Sequence, residues 1–431
     1  MADLTKLAKM LQELDDHMVA CMKCGMCQAV CPVFAETMKE ADVTRGKIAL
    51  LENLAKEMVS DPEGVQEKLN KCLLCGSCGA NCPSGVKIMD IFLRARCIVN
   101  SYMGLSPVKK AILRGMLTNP KLFNALLDMG SVFQGLFTTK VNDLLGSSCS
   151  KILSPIIGDR HFVGLASTSL HSRIKSLDTP AGKSGVKVAF FPGCLGDKMF
   201  TSVADACLKV FSHHGVGVYM PEGMACCGIP SLASGDRVSY DKLVKLNLDL
   251  FAKGKFDYLV TPCATCTATI KEIWPKMMGD YPFEMRKQIE ELEKKTMDVN
   301  AFVVDVLGVT PAADAPKGNV KVTFHDSCHM KKSLGVTAQP RNLIRMNPKY
   351  DLVEMAECDR CCGSGGSFNL YHYDLSKQIG ERKRQNIVDS GAQVVSTGCP
   401  ACMLQMTDML SQHGDRVAVK HCIEIYADSL G

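Results

Sequence analysis

The chain has 431 residues, 46% of them hydrophobic and 22% charged, with a formal charge of +5. That balance excludes disorder, collagen-like repeats and low complexity for most of its length, and it argues for neither a nucleic-acid nor a membrane surface. Its 23 cysteines far exceed what packing requires. At ~100–200 residues per domain the length fits roughly two to four domains, enough to build cores without disulfide staples.

No run reaches the ~18–20 apolar residues of a spanning helix. The opening MADLTKLAKMLQELDDH carries charges throughout and no apolar core, so it reads as no secretory signal. Many cysteines in a reducing compartment point to metal rather than disulfides.

The first cysteines run Cys21-x2-Cys24-x2-Cys27-x3-Cys31-Pro32, and the run recurs as Cys72-x2-Cys75-x2-Cys78-x3-Cys82-Pro83. This is the bacterial ferredoxin spacing. Three close thiolates wrap one corner of a cubane, with Gly25, Gly76 and Gly79 allowing tight bends. The fourth cysteine leaves the loop for the other cluster. One [4Fe–4S] cubane is therefore expected on Cys21, Cys24, Cys27 and Cys82, the other on Cys72, Cys75, Cys78 and Cys31. Paired zinc knuckles use a different spacing. Between the runs, TRGKIALLENLAKEM reads as an amphipathic helix with Ile48, Leu51, Leu54 and Met58 on its apolar stripe. This insertion resembles the all-helical ferredoxin module of respiratory iron–sulfur subunits. With two such clusters, each carrying about −2 including its thiolates, the net charge falls to about +1.

Residues 1–100 thus form an expected helical ferredoxin domain, and 101–185 a connector. SPVKKAILRGML and PKLFNALLDMGSVFQGLF read as connector helices, after which Gly, Ser, His and Pro thin the pattern out. Met116, Leu122, Leu126, Phe133 and Phe137 make an apolar stripe read as core packing, with a partner or membrane-surface contact as the alternative.

The remaining cysteines repeat. Cys194, Cys226-Cys227 and Cys263-x2-Cys266 recur as Cys328, Cys361-Cys362 and Cys399-x2-Cys402, at offsets of 134, 135 and 136 residues. VKVAFFPGC and VKVTFHDSC read as buried strands ending at the first cysteine of each copy. YLVTPCATC and QVVSTGCPAC read as strands ending at the CxxC pair. Cysteines at carboxyl ends of strands converge on the rim of an α/β sheet, where such folds place ligands. Four cysteines of each five could hold zinc. The adjacent pair favours a larger cluster, because neighbouring residues rarely aim both thiolates at one small ion. The domains are expected at 186–317 and 318–431.

Cys97, Cys149, Cys207, Cys358 and Cys422 read as buried small hydrophobes. His325 and His329 flank Cys328 and read as structural, with hydrogen bonding to cluster sulfur or proton carriage as the alternative. Gly363-Ser-Gly-Gly366 reads as close backbone approach to a cluster rather than a nucleotide loop. Neither a P-loop nor a dinucleotide fingerprint is present in context, so no flavin is expected on this chain.

The two repeats resemble the cysteine-rich CCG domains of heterodisulfide reductase, glycerol-3-phosphate dehydrogenase and glycolate oxidase subunits. The order of two ferredoxin clusters and two CCG domains spans nearly the whole chain. It is most similar to the iron–sulfur subunit of glycolate oxidase and the related D-lactate dehydrogenases. Supporting stretches are CMKCGMCQAVCP, CLLCGSCGANCPSGV, RCCGSGGSFNLYHYDLSKQ, TGCPACMLQM and VKHCIEIY.

The resemblance implies an α+β multidomain fold, with an all-helical two-cluster ferredoxin module before two duplicated α/β CCG domains. It implies one iron–sulfur cluster per CCG domain, either a non-cubane [4Fe–4S] on five thiolates or a cubane with one cysteine spare, and the full set of five in both copies tilts the reading towards the non-cubane form. It implies an electron-transfer subunit of an oxidoreductase complex. A partner FAD-linked 2-hydroxy acid oxidase would oxidise lactate or glycolate. Electrons would leave for a quinone or another membrane redox acceptor, from a cytoplasmic place at the inner face of the membrane. The alternatives are a heterodisulfide-reductase-like catalytic subunit, a glycerol-3-phosphate dehydrogenase subunit, and a redox-sensing scaffold.

Overall fold

A computed structural model describes residues 4–151, 158–312 and 317–431. The chain divides into two compact units. The first runs through Thr118 and takes in Gly228–Lys242 and Gly363–Ile379. The second comprises Asn119–Cys227, Leu243–Cys362 and Gly380–Gly431.

Among its described residues the first unit is helical throughout. Leu4–Gln12 buries Leu7 and Leu11, and Thr44–Ala55 buries Ile48, Leu51 and Leu54, in each case at helical spacing. Pro62–Asn70 begins where the Asp61 carboxylate accepts from Gly64 N at 2.8 Å, with Pro62 in the first turn. Ile88–Met103 buries Ile91, Phe92, Ala95 and Val99. Met58, expected on the stripe of Thr44–Ala55, is instead 73% exposed. The helix stops at Ala55 and the chain turns at Glu57, whose φ is 56°, so Met58 lies beyond the amphipathic register.

Two later segments are tied into this unit. Arg96 donates to Ala233 O at 2.7 Å, Leu69 O at 2.6 Å and Cys72 O at 2.8 Å, and is 4% exposed. Asn100 donates to Ser234 O at 2.6 Å. Gly235 sits so close to the helix Ile88–Met103, at φ +75°, that a Cβ there would fall 2.5 Å from Arg96 O. Gly365 packs on the Cys72 loop, where a Cβ would fall 2.6 Å from Leu73 Cδ2.

The second unit holds two sheets of matching order. Tyr350–Leu352, Val320–His325, Val394–Thr397 and Ala418–His421 lie side by side, all parallel. Gly217–Met220, Lys187–Phe190, Tyr258–Thr261 and Thr296–Asp298 repeat that arrangement, with Leu177–Asp178 added antiparallel at one edge. Their central strands are buried runs, as parallel strands covered on both faces must be. One core serves both copies. Val188, Phe190 and Phe211 from the first pack with Leu343, Met403, Ile423 and Tyr426 from the second. The Phe211 ring meets Phe190 at 5.5 Å and Phe302 at 6.0 Å, edge to face.

The connector departs from its sequence reading in two ways. An antiparallel sheet of Thr138–Asn142, Ser147–Ser150 and His161–Val163 occupies part of the stretch where periodicity thinned out. The helix Pro120–Phe137 forms, capped by Asn119, but buries none of its residues. Leu122, Leu126, Phe133 and Phe137 are exposed and Met116 is half-buried, so the expected core packing is not what this stripe does.

The cause is on the other face of the helix. Gln134 exchanges two hydrogen bonds with the Leu165 backbone, at 2.8 and 2.9 Å. Asp128 accepts from Ser169 at 2.9 Å and Ser172 at 3.0 Å. The polar side is therefore anchored, and at about 100° per residue the apolar stripe is turned outward.

Asp298 closes the last strand of the five-stranded sheet and is 2% exposed. Its Oδ1 accepts from Asn300 N at 2.9 Å and Asn300 Nδ2 at 2.7 Å, while Oδ2 is buried without a partner. Burial pushes its carboxyl up to about 7. Unfolded, it ionises near ~3.9. Between those values the folded chain binds more protons than the unfolded one, so stability is fully present below the lower value and is lost as pH rises through the upper. The shift corresponds to roughly 4 kcal/mol over the window. Urea midpoints of the intact protein at pH 5 and pH 8 are expected to show this fall, and Asp298→Asn to flatten it. An unchanged slope in Asp298→Asn contradicts the assignment.

Candidate metal centres

In the first unit the two cysteine runs are brought together crosswise. Cys21, Cys24, Cys27 and Cys82 line a cavity of about 360 Å³, together with Cys78, Thr44 and Arg45. Cys72, Cys75, Cys78 and Cys31 line a second of about 420 Å³, together with Thr44, Lys47 and Phe92. Cys78, Thr44 and Ile88 belong to both walls, so the cavities adjoin. The crossing follows from local structure. Cys31 caps the helix Pro32–Thr37, its sulfur accepting from Phe34 N at 3.5 Å, and this turns it away from its own triplet. Leu74 N donates to Cys72 Sγ at 3.5 Å.

The donor chemistry fits an iron–sulfur group. Burial pushes Cys31 up to about 11 and Cys78 higher still, so the thiols alone hold their protons. Cys31 and Cys78 would give up those protons on binding a cationic iron–sulfur core, which would supply the charge that burial withholds. Two buried cations stand by: Lys47, donating to Asp42 O, and Arg96, donating to Cys72 O. Burial pulls both below their usual range, while the Cys72 sulfur draws each the other way. Spacing alone gave no sign of either side chain.

In the second unit the ten CCG cysteines sit at the carboxyl ends of the parallel strands. Cys194 lies in the first turn of Gly193–Lys198, after the strand Lys187–Phe190. Cys263 precedes Ala264–Ala268, after Tyr258–Thr261. Cys328 opens the π-helical turn His329–Ser333, and Cys399 precedes Pro400–Gln412. Asn247 holds the adjacent pair of the first copy, accepting from Ala225 N and donating to Cys226 O, both at 3.0 Å. The single tryptophan, Trp274, donates to Cys227 O at 3.0 Å.

The thiols hydrogen-bond in sequence. Cys194 meets Cys226, Cys226 meets Cys227, Cys227 meets Cys266, and Cys266 meets Cys263. Cys263 then meets Cys399, which meets Cys402, Cys362 and Cys361 in turn. The run therefore passes from one copy to the other at the two CxxC loops. There Ala264 N also donates to Gly398 O at 3.2 Å, and His421 Nε2 bonds Pro262 O at 2.8 Å. Hydrogen bonds from neighbouring thiols hold Cys362 and Cys399 well below the ordinary thiol range: Cys361 and Cys402 for the former, Cys263 and Cys402 for the latter. Such acidified, buried sulfurs are metal ligands in waiting. Lys383, 1% exposed, donates to Cys358 O at 3.3 Å beside the second set.

His325 lies with this second set: one ring nitrogen and the sulfurs of Cys362 and Cys402 are within 4.8 Å of one another. His329 instead meets Thr265 Oγ1 through Nδ1 at 3.2 Å, and that hydroxyl is 3.5 Å from Cys399 Sγ. Of the five remaining cysteines, Cys207 and Cys422 are buried as expected, with Cys422 donating to Asn300 Oδ1 at 2.9 Å. Cys97, Cys149 and Cys358 are only half-buried.

Comparison with known proteins finds two families along the chain. The 4Fe-4S dicluster domain family matches residues 17–86, and the cysteine-rich domain family matches 188–271 and 322–407. The chain is 27% identical over 431 residues to a Bacillus subtilis protein described as "Probable glycolate oxidase iron-sulfur subunit", covering 97% of this chain and 95% of that one. It is 32% identical over 238 residues to "Lactate utilization protein A" of an Exiguobacterium species, covering 55% of this chain and 96% of that one. It is 27% identical over 379 residues to a fumarate reductase (CoM/CoB) subunit of Methanothermobacter marburgensis, covering 82% and 71%. A crystal structure of a Helicobacter pylori hypothetical protein shares the fold, with a TM-score of 0.54 at 10% identity, covering 100% of this chain and 77% of that one.

Proposed function

The chain belongs to the family of iron–sulfur subunits in which a 4Fe-4S dicluster domain precedes two cysteine-rich domains, and on that premise we propose that it is the electron-transfer subunit of a flavin-dependent lactate or glycolate dehydrogenase. The observation that carries the reading is the gathering of thiols: two crossed sets of four around adjoining cavities, and nine of the ten CCG thiols in one run from Cys194 to Cys361. The names of the relatives support the 2-hydroxy acid. The ligands in the ferredoxin domain, 1–100, are Cys21, Cys24, Cys27 and Cys82 for one cubane, and Cys72, Cys75, Cys78 and Cys31 for the other. The CCG domains, 186–317 and 318–431, each hold one cluster of non-cubane [4Fe–4S] type. Cys194, Cys226, Cys227, Cys263 and Cys266 serve the first, and Cys328, Cys361, Cys362, Cys399 and Cys402 the second.

When bound, such clusters take up and release electrons one at a time, at potentials set by charge, hydrogen bonds and exposure. The chain's own residues do the rest. Lys47 and Arg96 keep positive charge beside the Cys72 set, out of water where it is least screened. Cys78, Thr44 and Ile88 are common to the walls of both cavities. Hydride removal from the hydroxy acid falls to FAD on a partner subunit.

The outward apolar face of Pro120–Phe137, with Lys121 and Lys140 exposed at its ends, supports a peripheral seat on an anionic membrane surface, close to a quinone or membrane redox acceptor.

Stopped-flow absorbance tests the central reading. Flavin-free, cluster-loaded chain is expected not to bleach with lactate or glycolate, and to bleach when an FAD-linked 2-hydroxy acid oxidase is added with its substrate. Bleaching by the chain alone contradicts it. For the crossed ligands, Cys82→Ser should damage the cluster of the Cys21 triplet in electron paramagnetic resonance. Loss of the Cys72 cluster with the other spared refutes the crossing. For the membrane seat, the protein should sediment with anionic vesicles, and Phe133→Glu should weaken that binding tenfold or more. Wild-type protein left wholly in the supernatant overturns it.

A further inference from the structure

The two CCG sites differ where the first strand of each ends. VKVAFFPGC and VKVTFHDSC align without gaps, and they place Phe191 in the first copy where the second has His325. Both are buried, at 1% and 0% exposure. Phe191 packs its ring on Phe251 at 6.2 Å and offers no donor. His325 ends the strand Val320–His325, and its ring reaches the sulfurs of Cys362 and Cys402.

The hydrogen bonding of the imidazole fixes what it can do. Nδ1 lies 3.1 Å from Cys358 O. A carbonyl oxygen only accepts, so Nδ1 carries the proton and donates it. In the neutral ring Nε2 then carries the lone pair; it is buried, and the Cys362 sulfur is the ring's polar neighbour on that side. The neutral ring has no second N–H for the Cys362 sulfur; only the doubly protonated ring gives a hydrogen bond there through Nε2 while Nδ1 serves the carbonyl. Once Cys362 and Cys402 are thiolates, two anionic sulfurs lie within 4.8 Å of a ring nitrogen, and the buried cation at hand is Lys383, which the Cys362 sulfur draws towards its charged form. Donation of the far ring N–H to a backbone carbonyl is the usual support of a metal-bound histidine.

We propose that His325 Nε2 is a direct ligand of the metal centre in the second CCG domain, a sixth protein donor beside its five cysteines, so that the two domains hold chemically different centres. The proposal rests on the reading that the CCG domains hold iron–sulfur clusters. A neutral nitrogen added to five retained thiolates leaves the ligand charge unchanged but separates the second centre electronically from the all-sulfur first.

The test is pulsed electron paramagnetic resonance on the reduced, cluster-loaded full chain, grown with unlabelled and with 15N-ring-labelled histidine. The expected result is a strong nitrogen coupling that changes to the 15N pattern on labelling. It should be lost in His325→Phe, which installs the residue of the first copy, and kept in His329→Gln. Iron content of His325→Phe shows whether its centre is still loaded. The wild-type spectra decide even where that variant does not fold. Absence of a directly coupled histidine nitrogen in loaded wild-type protein, or its survival in His325→Phe, overturns the proposal and leaves the cluster reading standing. Absence of iron from the second domain overturns both.

Discussion

Sulfur held away from water is the constraint on which this architecture depends. A buried thiol keeps its proton, and a buried thiolate needs positive charge or several hydrogen bonds at hand. The first unit meets that demand with two cavities that share Cys78 in their walls and with two buried cations near Cys72. The second meets it by letting thiols bond one another from Cys194 through to Cys361. Both solutions favour a polynuclear metal group, because one such group satisfies four or five sulfurs together.

What sequence made legible was local. The ferredoxin runs declare themselves by spacing, and the duplication by near-constant offsets between cysteines. Strands that end at cysteines could be read from buried apolar runs, since the side chains concerned are neighbours in the chain. The positions of Arg96, Lys47 and Asn247 could not be read that way. Arg96 and Asn247 bond backbone groups brought near by folding, the burial of Lys47 is tertiary too, and each looks in sequence like any helix residue. The meeting of Cys263 with Cys399 is likewise tertiary. So is the membership of Gly228–Lys242 and Gly363–Ile379 in the first unit. The glycine-rich run after Cys362 hinted at close approach, and Gly365 packs against Leu73.

The helix Pro120–Phe137 shows why periodicity fixes a face but not its direction. Its apolar stripe is as regular as that of any core helix. Asp128 and Gln134 on the opposite side find partners in Ser169, Ser172 and Leu165, and those bonds decide which face turns inward. The duplication carries a similar lesson. Identical cysteine patterns suggest identical sites, yet Phe191 and His325 stand at corresponding positions, so an imidazole lies beside the sulfurs of the second copy where the first has a phenyl ring at that position.

Iron and acid-labile sulfide, measured per chain on anaerobically purified protein, test the central claim most directly. Four clusters of four irons predict about 16 irons, a matching amount of sulfide and little zinc. About eight irons with stoichiometric zinc would confine the clusters to the first unit and contradict the account.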